Sequence, residues 1–245
     1  NTSTCVVMAG DHMQMSPKIY SPEAKIQRFH RSLLERLYQH YDAYKQHVNS
    51  KRPLTILLRI NYRSKMEILR FLSAVFYGGP ERLVDRSVQP TVATVVPLTF
   101  YAAQGRETQD ADSTSYYNVA ELEEVVDRVE ELFLQWPEEW GDRDASSIGV
   151  VTPYIDQVQR IRQCLRRRRK ELREVTVDRV MNVQGKEFRA LFLSTVRTCH
   201  LAEHPPRMSS DSAECDGDIG DFGFLSDQKL LNTALSRARS LVAVV

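Results

Sequence analysis

Leu230-Leu231-Asn232-Thr233-Ala234-Leu235-Ser236-Arg237-Ala238-Arg239, followed by the apolar run Leu241 to Val245, reads as a helix feeding directly into a buried strand. At roughly 100° per residue, Leu231, Ala234, Leu235 and Ala238 form one apolar stripe, with Arg237 and Arg239 on opposite flanks of it. The two arginines therefore face different surroundings. One is placed to lean over a facing surface as a fork for a triphosphate, the other to pair with a carboxylate of its own domain. Two solvated arginines at a helix end account for the same residues taken alone, so the rest of the chain decides.

Upstream, from Leu54, apolar runs of strand length alternate with helical periodicity. The pattern predicts strand 54–60, helix 65–77, strand 97–102, helix 118–135, strand 147–152, helix 154–170, strands 174–180 and 190–197, helix 226–239 and strand 241–245. Such alternation predicts an α/β fold, a parallel sheet with helices on both faces. In helix 118–135, Val119, Leu122, Val125, Val126, Val129, Leu132 and Phe133 fall at helical spacing, and Glu121, Glu123, Glu124, Glu130 and Glu131 read mainly as its solvated face. Residues 1–53 carry one strand at Cys5 to Ala9, a loop with Pro17 and Pro22, an apolar helix around Leu33 to Tyr38, and a polar stretch ending at Pro53. At 245 residues and 42% hydrophobic composition, one to two domains are expected.

Three polar loops follow or link predicted strands: Gly10-Asp11-His12-Met13-Gln14, Asn61-Tyr62-Arg63-Ser64 and Val183-Gln184-Gly185-Lys186-Glu187. In an open parallel sheet ligands collect outside the carboxyl ends of strands, so Asp11 and Gln14 are placed to meet a nucleotide phosphate. Each loop alone is commonplace; their order along the chain is the signal.

With Ser32-Leu33-Leu34-Glu35-Arg36-Leu37 beside the first loop, and with Val150-Val151-Thr152-Pro153-Tyr154 and Gln157, these blocks and Asn232 to Arg239 span nearly the whole chain. In that order they resemble the second motor half of a superfamily 1 RNA helicase of the nonsense-mediated-decay helicase-like group, and within it the helicase-with-zinc-finger proteins. The resemblance implies a RecA-like second motor domain at 54–245, with an insertion loop at about 200–222, preceded at 1–53 by the C-terminal tail of the first motor domain. It implies ATP as cofactor, with Mg2+ held by the first motor half. It makes Gln14 the sensor of the terminal phosphate or its attacking water, and Arg63 and Arg237 the arginine fingers. Asp11, Tyr62, Gly185, Lys186, Glu187 and Glu121 would lie about the nucleotide: Tyr62 near the adenine, Gly185 allowing close backbone approach, Glu187 at the ribose or linking both sites. Thr152, Pro153, Tyr154 and Val183 would meet single-stranded RNA or DNA, with Thr152 holding a strand phosphate.

No Gly-x-x-x-x-Gly-Lys-Ser/Thr phosphate loop occurs in the sequence, and no Asp-Glu pair precedes Gly10. The chain is therefore expected to be part of a parent ATP hydrolase, inactive alone, with the first RecA-like domain of the same parent as its partner. A non-unwinding scaffold or ATP switch within a regulatory assembly is the alternative; retention of Gln14, Arg63, Gly185 and Arg237 together favours the motor. Charge is nearly balanced, 33 Lys and Arg against 32 Asp and Glu, so any strand-binding surface must be local. Arg166 to Lys170 is the densest basic run, and the helix dipole favours it at a helix end without any ligand. Cys5, Cys164, Cys199 and Cys215 have no C-x-x-C spacing, and with His200 and His204 they fit no standard zinc module, so no metal site is expected. Without a signal peptide or an apolar run approaching ~20 residues, a cytoplasmic or nuclear protein with no membrane contact is expected.

Overall fold

In a computed structural model of the chain, residues 6–47, 54–198 and 223–245 are described. Helices α1 (Pro22–Ile26) and α2 (Leu33–His47) precede a small parallel pair, β1 (Ile60–Asn61) and β2 (Val84–Asp85), with α3 (Met66–Phe76) between them. Then follow β3 (Leu98–Phe100), the antiparallel pair β4 (Glu107–Thr108) and β5 (Tyr117–Asn118), α4 (Val119–Leu134), β6 (Ile148–Thr152), α5 (Ile155–Arg168), β7 (Thr176–Arg179), β8 (Phe188–Leu193), α6 (Gln228–Leu235) and β9 (Ala238–Val244). Five strands form one sheet in the order β3-β9-β8-β6-β7, and every pairing is parallel.

Successive residues of a strand point to opposite faces, and the two cores follow that rule. On one face Ile148, Val150, Ala190, Phe192, Leu241 and Ala243 pack against α4 and α5. On the other, Val151, Leu191, Leu193 and Val242 pack against Ile68, Leu72 and Phe76 of α3 and Ala234 and Leu235 of α6. The near-continuous apolar strands are thus buried on both sides, as a helix-covered parallel sheet requires. The predicted α/β fold with helices on both faces is present. Among the described residues no helix is long and apolar enough to cross a membrane.

Three expectations fail. Val6 to Ala9 form no strand, and Val7 is 88% exposed; without a neighbouring strand among the described residues the backbone has no ladder to join. Of 54–60 only Ile60 enters a strand, pairing with Val84 outside the five-stranded sheet. Residues 54–61 instead line, with Val6, 8–12, Leu34, Leu37, Tyr38 and Tyr41, a cleft of about 720 Å³. The last helix stops at Leu235, so Arg237 lies in the turn and Arg239 within β9. Tertiary pairing overrides helical periodicity here: Phe188 N donates to Arg237 O at 2.9 Å, Ser64 Oγ to Ala238 O at 2.7 Å and Lys65 N to Arg239 O at 2.9 Å.

Glu121, expected beside the nucleotide, is buried. Its carboxylate accepts from Ser194 Oγ at 2.7 Å, Thr195 Oγ1 at 3.1 Å and Val196 N at 2.8 Å, tying the start of α4 to the end of β8. Val196 is a β-branched residue at φ 69°, a sterically disfavoured conformation, and Asn118 Nδ2 holds its carbonyl at 3.4 Å. Burial raises the Glu121 carboxyl above its ordinary value, against the lowering effect of these donors. A group whose folded pKa is raised stabilises most below its unfolded pKa, and that contribution is lost as pH rises through the folded value. Glu121→Ala should destabilise the chain by about 1–3 kcal/mol in urea unfolding, because it strands buried donors. In Glu121→Gln the part of the pH dependence that this carboxyl contributes above the ordinary glutamate range should vanish.

Candidate functional site

The turn at 11–14 is built by Asp11. Its Oδ1 accepts from Met13 N at 2.9 Å, and its main-chain oxygen from Gln14 N at 3.2 Å. Its Oδ2 accepts from Gln14 Nε2 at 2.8 Å and from the Tyr77 hydroxyl. Asp11 therefore organises Gln14, and its carboxylate is taken up inside the protein. α6 holds the turn from the other side. Asn232 Nδ2 donates to Met13 O at 2.8 Å and Tyr77 Oη at 3.1 Å, and Met15 N donates to Thr233 Oγ1 at 3.1 Å. One turn earlier on α6, Lys229 Nζ reaches Glu35 of α2 at 2.6 Å and Ser16 Oγ at 2.8 Å.

Arg237 closes this network. Its Nε donates to Thr233 O at 3.0 Å, and its Nη2 to Ser236 Oγ at 2.9 Å and Gln14 Oε1 at 3.2 Å. Arg63 arrives from the turn before α3, where Asn61 Oδ1 accepts its backbone N–H at 2.9 Å. It donates through Nη1 to Ser236 O at 3.0 Å and pairs through Nη2 with Glu187 at 2.6 Å. Gln14, Arg63 and Arg237, more than 200 positions apart at the extremes, thus share one cluster, with Glu187 at its rim.

The electrostatics are unbalanced in one direction. Arg237 is 4% exposed, and among the described residues no carboxylate lies within ion-pair distance of its guanidinium. Burial first, then the like charge of Arg63, lowers its hold on its proton. The Arg63 hydrogen bond holds the Glu187 carboxyl below its ordinary range, against partial burial, with Arg239 and Arg237 adding to the effect. Burial and Asp11 push the Tyr77 phenol up. The Arg63 Nε is buried without a hydrogen-bond partner among the described residues. Arg63, Arg237 and Arg239 stand against the two carboxylates of Glu187 and Asp11, which leaves one positive charge that a multiply charged anion would neutralise.

The other expected residues fall in three places. Tyr62 is 70% exposed next to Arg63. Gly185, at φ 81°, supplies the left-handed turn before Glu187; the space beside its Cα is open, so its conformation rather than a close approach calls for glycine. Lys186 is exposed and sits 3.8 Å from Asp178. Thr152, Pro153 and Tyr154 lie at the carboxyl end of β6, whereas Glu187 and Arg237 lie at the amino ends of β8 and β9. The registers Ile148↔Ala190 and Leu193↔Val244 put the length of the sheet between them, about 20 Å at roughly 3.3 Å per residue. The structure therefore does not bring Thr152 to Tyr154 together with the end of the loop at Val183 to Glu187.

Thr152 is wholly buried, its Oγ1 without a partner among the described residues, and the Val183 side chain belongs to the core, so neither side chain presents itself to a strand in this conformation. Tyr154 is half-buried and meets Tyr116 edge-on at 5.7 Å. Glu121, at the Thr152 end of the sheet, is likewise remote from Arg237. Arg168 and Arg169 pair with Asp127 and Glu130 of α4, so two of the five residues of the basic run neutralise the acidic face opposite. Among the described residues Arg239 forms no ion pair: with the Gln89 amide oriented to suit, Gln89 Oε1 accepts from Arg239 Nε and Nη2 at 3.2 Å. The insertion at 200–222, and Cys199, His200, His204 and Cys215, fall outside the described residues. Among those described, no group of three or more His, Cys, Asp or Glu is arranged to hold a metal.

Two residues of the cluster were not assigned from sequence. Asn232 stands in the quoted block, and a polar residue turned toward a buried helix face was its available signal. Tyr77, closing α3 before Gly78-Gly79, carries no pattern that marks it.

A family model described as an AAA domain matches residues 29–245. The human protein named "Probable helicase with zinc finger domain" is 51% identical over 246 residues, covering 99% of this chain and 12% of that protein. The human protein named "RNA helicase Mov10l1" is 31% identical over 258 residues, covering 98% of this chain and 20% of that one. The C-terminal domain of a possible DNA helicase from Lactobacillus plantarum WCFS1 aligns with a TM-score of 0.40 at 15% identity, over 76% of this chain and 87% of that one. The chain thus spans about an eighth of the length of the first of these relatives. By its sequence it belongs to the AAA domain family, in the superfamily 1 helicase-like group.

Proposed function

We propose that the chain is the C-terminal motor half of an ATP-dependent helicase or translocase that steps along single-stranded RNA. The observation that carries this reading is the buried Arg237, which shares Gln14 and Ser236 with the Arg63 cluster and has no carboxylate partner among the described residues. Burying a guanidinium without a counter-ion is costly, and a protein that only served as a scaffold would gain nothing from it. An anionic ligand in the cleft offsets that cost. ATP supplies, when bound, a terminal phosphoryl group whose negative charge must be stabilised as it leaves. Arg63 and Arg237 would stabilise that charge, and Gln14, its Oε1 fixed by Arg237, would orient the attacking water. Residues 1–53 would belong to the first motor domain and 54–245 to the second. The phosphate cradle and the Mg2+ ligands would come from the first domain, since the described residues offer neither. RNA is preferred because one of the relatives carries that substrate in its name.

Two outcomes test this. In the full-length protein, Arg237→Ala should cut ATP turnover by about three to five decades, the usual worth of an arginine finger. Nucleotide-free strand affinity should stay nearly intact, because the finger acts where charge develops in the transition state. An equal loss of strand affinity would show that Arg237 grips nucleic acid instead. The 245-residue chain alone should show no turnover above an Arg63→Ala, Arg237→Ala control.

For the strand itself, the proposed contacts are at the carboxyl end of β6, through the backbone of Thr152 and Pro153 and the ring of Tyr154. A stepping motor must accept any base, so backbone contacts and stacking suit it. Tyr154→Ala should weaken single-strand affinity of the full-length protein about tenfold, stacking being worth roughly 1–3 kcal/mol per base. The salt slope should stay shallow, each phosphate contact contributing roughly 0.7. Loss of binding on neutralising Arg166 and Arg167, with Tyr154→Ala silent, would move the groove to the end of α5.

A further inference from the structure

Tyr77 lies outside the helicase blocks, yet its hydroxyl is the point where three parts of the chain meet. It ends α3, donates to Asp11 Oδ2 in the loop at 11–14, and accepts from Nδ2 of Asn232, a fully buried residue of α6. The same Asp11 oxygen accepts from Gln14 Nε2 at 2.8 Å, and Gln14 Oε1 accepts from Arg237 Nη2 at 3.2 Å. Donor and acceptor chemistry fixes every orientation in this chain. Arginine has no acceptor, so Gln14 must offer it the carbonyl end of its amide; the NH2 end then points to a carboxylate, which can only accept. Asn232 points its amide nitrogen at Tyr77 and Met13 O, so Tyr77 must spend its single proton on Asp11.

We propose that Tyr77 is a positioning residue that holds Gln14 in its water-orienting pose through Asp11. The inference rests on the role given to Gln14 and Arg237 above. Without the hydroxyl, the Asp11 carboxylate loses the donor that comes from the folded core and keeps only those of its own loop, Met13 N on Oδ1 and Gln14 Nε2 on Oδ2. The carboxylate is then free to turn, and the Gln14 amide turns with it. The phenol remains protonated across the working pH range, because burial and Asp11 both hold its proton in place. The device is therefore a fixed brace and does not titrate.

The test uses ATP turnover and thermal unfolding of the full-length protein. Tyr77→Phe keeps the ring that packs against the core between α3 and α6 but removes the hydroxyl. It should lower kcat by about tenfold to a hundredfold, the cost of a small misplacement near the reacting atoms, with KM for ATP unchanged. Added to Gln14→Ala it should cause no further loss, because both act through one group. A merely structural role would instead lower the unfolding temperature and the two losses would add. Asp11→Asn, in a half-exposed loop, should reproduce the kcat loss if Tyr77→Phe cannot be purified. Wild-type kcat in Tyr77→Phe or in Asp11→Asn, with Arg237→Ala inactive, overturns the brace and leaves the motor reading standing. Wild-type turnover in Arg237→Ala overturns the motor reading and the brace with it.

Discussion

Three backbone-directed hydrogen bonds pin the start of β9: Phe188 N to Arg237 O from β8, and Ser64 Oγ to Ala238 O and Lys65 N to Arg239 O from the entry to α3. They end α6 at Leu235 and fix the direction in which Arg237 leaves the chain. Because Arg63 immediately precedes Ser64 and Glu187 immediately precedes Phe188, the same bonds set all three charged side chains against one another. The site is thus a by-product of strand registration. Moving β9 by one residue would exchange its faces, burying Arg239 in the core and withdrawing Arg237 from Gln14.

The charge balance explains why the cluster needs so much polar scaffolding. Several kcal/mol are lost when a charged group leaves water, and Arg237 recovers that through Thr233 O, Ser236 Oγ and Gln14 Oε1, all neutral acceptors. Neutral acceptors satisfy the N–H groups while leaving the net charge unspent, which is how a protein keeps a cation both buried and available. Arg63 is handled differently. Its pairing with Glu187 is half-exposed, so water and salt screen it, and exchanging that carboxylate for a stronger anion costs little.

What could be read from the sequence follows from where each element finds its partners. From β3 onward the central strands pack against neighbours within the chain, and their apolar runs and the helical stripes of α4 and α5 predicted the elements and the two-sided core. Val6 to Ala9 and most of 54–60 have the same apolar look but no ladder among the described residues, and periodicity says nothing of whether a partner is present. The cluster of Gln14, Arg63 and Arg237 was legible because each stands in a recognisable block. Tyr77 and Asn232 were not assigned, since a buried hydroxyl–amide contact leaves no spacing to detect. Glu121 was misplaced for a related reason: a carboxylate that caps a strained Val196 looks, in sequence, like any other glutamate of an acidic helix. The pairing of Arg168 and Arg169 with Asp127 and Glu130 was equally invisible, because two solvated faces give no sign of facing each other.

Parallel strands β6, β8 and β9 lie between the arginine cluster and Tyr154, packed on both faces, with one register shift between β8 and β9 at Phe188 to Ala190. Such a slab is close-packed and hardly compressible, so it behaves as a stiff beam. A push delivered at one end arrives at the other undiminished and without internal rearrangement. Strain applied around Arg237 would therefore be taken up less inside this sheet than at the few contacts that α6 and the end of α3 make with the 11–16 turn.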